Sequence, residues 1–166
     1  MTMDGAPTPT HDPDSLADGE LTFLLGISFQ LVLAEFSSRL AVAGHGGLRP
    51  AHGMVFQLVQ GAGMTSTELA ERLGVTKQAA GQLVAELEKR GYVQRQEHPE
   101  GGRRRLIVLT AKAVNHMKAA GTILHGLEAE LAAQVDDVNL AGLRTGLSRL
   151  IRSMAGSQVP PLRPVW

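Results

Sequence analysis

Two sets of side chains stand out for the chemistry that their types and spacing allow. Thr76, Lys77, Gln78 and Gln82 lie close together in the chain. A glutamine amide can bond an adenine edge bidentately, and a lysine ammonium can meet guanine or a phosphate. Farther on, Arg103, Arg104 and Arg105 directly follow Gly101-Gly102. From such a flexible tip, guanidinium groups can enter a minor groove or grip phosphates. Together these are the means of recognising a nucleic-acid duplex. Other chemistries find little support. The chain has no cysteine, which removes disulfides, thiolate metal sites and thiol redox switching. Serines and histidines occur without a nucleophile elbow, a phosphate loop or metalloprotease spacing, so no enzyme is expected.

The elements that must position these groups are legible around them. Thr65 and Glu68 have capping-box spacing, which opens a short helix ending at Gly74. Thr76 can cap a second helix that reaches about Arg90, buries Leu83, Val84 and Leu87, and stops before Gly91. Two helices joined by a few residues that include glycine have the spacing of a helix-turn-helix. Ala70, Gly74, Val75, Ala80 and Leu83 supply its packing. That leaves Thr76, Lys77, Gln78 and Gln82 pointing outward, where a recognition helix presents side chains to base edges. Residues 92–97 and 103–109 are short and contain β-branched residues, with the turn-rich segment 98–102 between them. They are expected to form a β-hairpin wing.

The rest of the chain frames this centre. Residues 1–18 hold Pro7, Pro9 and Pro13 with four aspartates, a composition expected to form a disordered acidic arm. From Glu20, Leu21, Leu24, Leu25, Leu31, Val32 and Phe36 follow helical spacing, while Phe23, Ile27 and Leu33 widen the apolar surface. This helix is expected to end near residues 42–44 and to be buried on more than one side. Another follows over about 50–60, with Pro50 in its first turn. After the hairpin, Val114, Met117, Ile123, Leu124, Leu127 and Leu131 form a stripe interrupted by Asp136 and Asp137. Leu140, Leu143, Leu147, Leu150, Ile151 and Met154 then keep the helical period, with Arg144, Arg149 and Arg152 off it. Residues 156–166 form a proline-rich tail that ends in Trp166.

With 166 residues, 43% hydrophobic but only six aromatic, the core must be built mainly from aliphatic side chains. Sixteen basic and sixteen acidic residues cancel, yet the charge is segregated. Residues 64–112 carry nine basic and six acidic side chains, a net +3, and the remainder carries −3. The basic excess coincides with the candidate duplex-binding residues. No apolar run is expected to approach the roughly 20 residues of a bilayer span, so no membrane partner and a cytoplasmic location are expected.

The segment TSTELAERLGVTKQAAGQLVAELEKRGYVQRQ, an Arg-bearing wing after it, and LIVLT opening a long helix resemble the multiple-antibiotic-resistance regulator (MarR) family. The resemblance covers residues from about 20 to 155. It implies a mainly α fold with a small β-wing: a winged helix-turn-helix lobe over 49–110, flanked by dimerisation helices over 19–48 and 111–155. The resemblance further implies a homodimer that binds a pseudo-palindromic operator in double-stranded DNA and acts as an effector-responsive transcriptional repressor. Arg103 aligns with the family's Arg that reaches the minor groove, although the Asp that often helps to hold it is absent near Gly101. His45 and His52 flank the junction where the family often binds an effector. By that analogy Phe29, His45, Arg49, His52 and Phe56 would line a pocket for a small aromatic acid, with Arg or His pairing its anion. No cofactor is expected. Two alternatives on the same scaffold are a protein-interaction module and a zinc-responsive regulator, which would have to recruit Glu35 or His116.

Overall fold

The computed structural model describes residues 16, 18–101, 104–134 and 140–158. The expectations for most of the acidic arm, for Gly102 and Arg103, for Asp136 and Asp137, and for the tail from 159 to Trp166 lie outside the described residues. Among the described residues six helices and three strands follow in the order α1 (Leu21–Val42), α2 (Pro50–Val59), β1 (Met64–Thr65), α3 (Ser66–Leu73), α4 (Lys77–Lys89), β2 (Val93–Glu97), β3 (Arg105–Leu109), α5 (Ala111–Gln134) and α6 (Leu140–Ala155). The fold is mainly α with a small antiparallel sheet.

The central lobe is built as its sequence dictates. Thr65 and Glu68 close the capping box: the Thr65 N–H donates to Glu68 Oε2 at 2.8 Å, and the Glu68 N–H donates to Thr65 Oγ1 at 3.3 Å. Gly74 ends α3 in the left-handed conformation, φ 65° and ψ 35°, which turns the chain directly into α4. Thr76 caps that helix by accepting the Ala79 N–H at 3.1 Å. Behind these caps one core gathers Val55, Phe56 and Val59 of α2, Leu69 and Leu73 of α3, Val84 and Leu87 of α4, and Ile107 of β3. The Thr110 hydroxyl then donates to the carbonyls of Gly91 and Tyr92 at 2.7 and 3.1 Å, fastening the start of α5 to the end of the helix-turn-helix.

The hairpin wing pairs Val93 with Leu109 through to Glu97 with Arg105. A third strand, β1, goes beyond what the sequence predicts. Met64 and Thr65 pair with Ile107 and Leu106, giving the order β1-β3-β2. Gly63 makes that approach possible. A Cβ at this position would lie 2.7 Å from Val108 Cγ1 and 2.8 Å from the Ile107 carbonyl, and its φ is +77°.

Two expectations for α1 are corrected. Leu40 is its only buried residue; Leu21 is 57% exposed and Leu31 66%. Among the described residues α5 is the element packed most extensively along it, and its other apolar side chains are left largely uncovered. The helix is also 22 residues long and apolar enough to cross a bilayer by length and composition, contrary to the expectation that no run approaches that requirement. Its charged residues Glu35 and Arg39 are tied to protein: Arg39 donates to both oxygens of Glu130 on α5 at 2.8 and 2.7 Å and to Glu35 at 2.7 Å. These bonds hold Arg39 well above the ordinary guanidinium value and Glu130 below the usual carboxylate range. Helix α6 has no buried residue. It keeps its leucine period but leaves Leu143, Ile151 and Met154 exposed.

Candidate nucleic-acid interface

The first turns of α4 present one continuous outward surface. Lys77, Gln78 and Gln82 are exposed and Thr76 lies at the helix start beside them, whereas Ala80, Val84 and Leu87 are fully buried on the opposite side. Lys77, Gln78, Gly81 and Gln82 repeat at helical spacing and therefore share a face. At its centre Gly81 contributes no side chain, and a Cβ there would meet nothing within 4 Å. Packing within the chain does not require this glycine.

Beside α4 the wing arginines sit in exposed ion pairs. Arg104 bonds Glu100 at 2.8 Å, Arg105 bonds Glu97 across the hairpin at 3.3 Å, and Arg95 bonds Glu88 of α4 at 3.2 Å. Exposed pairs of this kind hold each other weakly, so a phosphate can replace the carboxylate. Arg95, Arg104 and Arg105 also line one polar recess with Thr65, Glu68 and Glu71 at the start of α3. Both Arg104 and Arg105 thus belong to the same exposed surface, although strict alternation along a hairpin would send one of them elsewhere. Arg95 joins them without having been marked by the sequence. Arg103 lies outside the described residues.

A second site lies between α1, α2 and α5. An apolar cavity of about 430 Å³ is lined by Phe29, Phe36, Leu40, Met54, Leu58 and His116, among others, with Arg49 on its wall. Of the five residues expected at an effector pocket, Phe29 and Arg49 line it. The other three do not. Phe56 is buried in the central core, and His45 is set edge-on to His116 with ring centroids 5.4 Å apart. His52 is fully buried and serves the lobe's own structure. Its Nδ1 accepts the Arg49 N–H at 3.0 Å, which places the ring proton on Nε2, 3.3 Å from Glu86 Oε2. Burial lowers its pKa despite the Glu86 charge.

The wall residue that the sequence does not assign to this pocket is His116. It is 6% exposed, and its Nδ1 has no hydrogen-bond partner. Its pKa is lowered, first by burial and then by His45. The only sequence signal is a histidine on the apolar side of a helix, next to Met117. Among the described residues no three His, Cys, Asp or Glu side chains are grouped to hold a metal ion.

Arg49 also reaches α4. Its guanidinium donates to Glu86, which bonds Arg90 at 3.1 Å, and Arg90 in turn donates to the Gly47 carbonyl. Burial acts to raise the Glu86 pKa, but the Arg49 bond and the neighbouring charges outweigh it, so the carboxyl titrates below its ordinary range.

Comparison with known proteins follows the same outline. Residues 46–104 match the model of the MarR family. No curated protein sequence matches the chain. Among solved structures, a MarR-family transcriptional regulator from Rhodococcus sp. RHA1 is 26% identical, with 86% of this chain and 96% of that one covered at a TM-score of 0.61. CouR from Rhodococcus jostii RHA1, bound to p-coumaroyl-CoA, is 24% identical over 85% and 95% of the two chains, at a TM-score of 0.61. A mutant of S. aureus MepR bound to an oligodeoxyribonucleotide is 18% identical over 82% and 99%, at a TM-score of 0.57.

Proposed function

From the match of residues 46–104 to the MarR family and the likeness to a MarR-family regulator, we propose that the chain is a winged-helix transcriptional regulator of that family, acting as a homodimeric repressor on a pseudo-palindromic duplex and relieved by a small aromatic acid. The observation that carries the DNA reading is the outward face of α4. Its two glutamines and one lysine are exposed beside wing arginines whose carboxylate partners are replaceable. Glutamines supply base-edge readout, and the cations supply the salt-dependent hold on phosphates. In this reading residues 49–110 are the DNA-binding lobe, and Arg103 contacts DNA with Arg104 and Arg105.

The dimer reading rests on the helices outside that lobe. Helices α1 and α6 carry apolar residues that one chain leaves exposed, and covering them with the same helices of a second chain removes that surface from water. Segments 19–48 and 111–155 then form the dimer interface, and two-fold symmetry sets half-site centres about 10 bp, or one helical turn, apart. The effector reading rests on the cavity, whose apolar wall and Arg49 guanidinium suit an aromatic body with an anionic end. CouR was solved with p-coumaroyl-CoA and MepR with an oligodeoxyribonucleotide, and both kinds of binding are assigned here to this chain.

Selection of bound sequences from a random duplex pool tests this function. The proposal expects enrichment of a two-fold symmetric site, with affinity that falls steeply as salt rises. Weak binding without enrichment would favour the protein-interaction module instead.

A further inference from the structure

Arg49 belongs to two sites at once. It stands on the wall of the 430 Å³ cavity, and its guanidinium donates to Glu86 in the middle of α4. Among the described residues no other arginine or lysine lines that cavity. We propose that Arg49 is an exchange switch: it holds Glu86 of the recognition helix in the empty protein and turns to the carboxylate of an amphipathic acid when the cavity fills. This deepens the effector reading given above and rests on it.

Three features support the exchange. First, the Arg49 side chain is 62% exposed, so its pair with Glu86 is held against water rather than sealed in the core, and another carboxylate can compete for it. Second, the wall around Arg49 is mainly apolar, with Phe29, Leu33, Phe36, Leu40, Met54 and Leu58 in it. An aromatic body is buried there while its anionic end meets the guanidinium, so the ligand class is an aromatic carboxylic acid.

Third, the partners of Glu86 determine what its release does. Without Arg49, Glu86 keeps Arg90, which remains tied to the Gly47 carbonyl, and the His52 ring 3.3 Å away. One of three restraints on the middle of α4 is lost while the others hold. The ligand therefore loosens the recognition helix without unfolding the lobe. Linkage then requires DNA to weaken ligand binding by the same factor as ligand weakens DNA binding.

The test uses the full chain with two probes of one shape, naphthalene-2-carboxylate and its uncharged carboxamide. Binding is measured by calorimetry, and DNA affinity by anisotropy on a duplex that the protein binds. The wild type should prefer the carboxylate at least tenfold, and only the carboxylate should weaken DNA binding. Arg49→Met should erase that preference and the effect on DNA. Glu86→Gln leaves the guanidinium without its anionic partner and should tighten carboxylate binding several-fold; because this variant gains affinity, the result cannot be ascribed to misfolding. If both probes bind the wild type equally and both weaken DNA binding, the cavity is the effector site but the exchange is overturned. If the wild type binds neither probe, the effector reading falls and the switch falls with it.

Discussion

Adding one methyl group to the outward face of α4 should move stability and DNA affinity in opposite directions. Gly81 sits mid-helix on the face shared by Lys77, Gln78 and Gln82, and a Cβ there meets nothing within 4 Å. Glycine in a helix interior costs about 1 kcal/mol relative to alanine, so Gly81→Ala should stabilise the fold by roughly that amount. With a urea m-value of about 1–3 kcal/mol per molar, the unfolding midpoint should rise by about half a molar. The same methyl stands between the two glutamines, where a docked duplex needs space. Displacing one bidentate base contact costs about 1–3 kcal/mol, so affinity for the selected duplex should fall by about fivefold to a hundredfold. Urea unfolding followed by circular dichroism reads the first change, and fluorescence anisotropy reads the second. A variant that gains stability and keeps its full DNA affinity would refute the close docking of this face. A loss of stability would refute the packing argument.

Other predictions concern the wing, the strand junction and the buried histidines. Arg103→Ala should weaken DNA binding and reduce the salt slope of log affinity by about one; an unchanged slope in a titration at several salt concentrations removes this residue from the interface. Gly63→Ala forces a Cβ to within 2.8 Å of the Ile107 carbonyl at positive φ and should destabilise the chain by roughly 2–4 kcal/mol, measured by urea unfolding. His52 and His116 both titrate below the ordinary 6.5 because burial disfavours their charged forms. The unfolded chain therefore binds more protons at acid pH, so their contribution to stability is complete above about pH 6.5 and declines as pH falls toward the depressed folded values. His116→Leu should flatten that decline in unfolding midpoints taken from pH 7 to 5, whereas an identical profile would mean that His116 does not contribute to it.

Local signals carry much of the lobe. Thr65 with Glu68, Gly74 and Thr76 mark their own helix ends because caps and left-handed turns depend on residues a few positions apart. The outward set on α4 is legible for the same reason: a helix of known start and buried face leaves only one other face. Strand β1 is not legible, since two residues carry no alternation and its partner lies some forty residues away in β3. The exchange site is hidden for a similar reason. Arg49 and Glu86 meet only through the packing of α2 on α4, and no spacing rule joins positions that far apart. Family resemblance points to Arg49 as a cavity residue, but the same resemblance puts His52 and Phe56 on a wall that the core has already claimed. The apolar breadth of α1 signals a need for burial. Within one chain, however, that need is unmet.

Replacing Lys77, Gln78 and Gln82 together with alanine, while leaving the Thr76 cap in place, tests the central claim most directly. Affinity is measured on the selected duplex and on a scrambled duplex of equal length. If α4 reads the operator, the variant should bind the selected duplex no more tightly than wild type binds the scrambled one, while circular dichroism stays that of the folded protein. If the folded variant still discriminates between the two duplexes as wild type does, α4 is not the reading element.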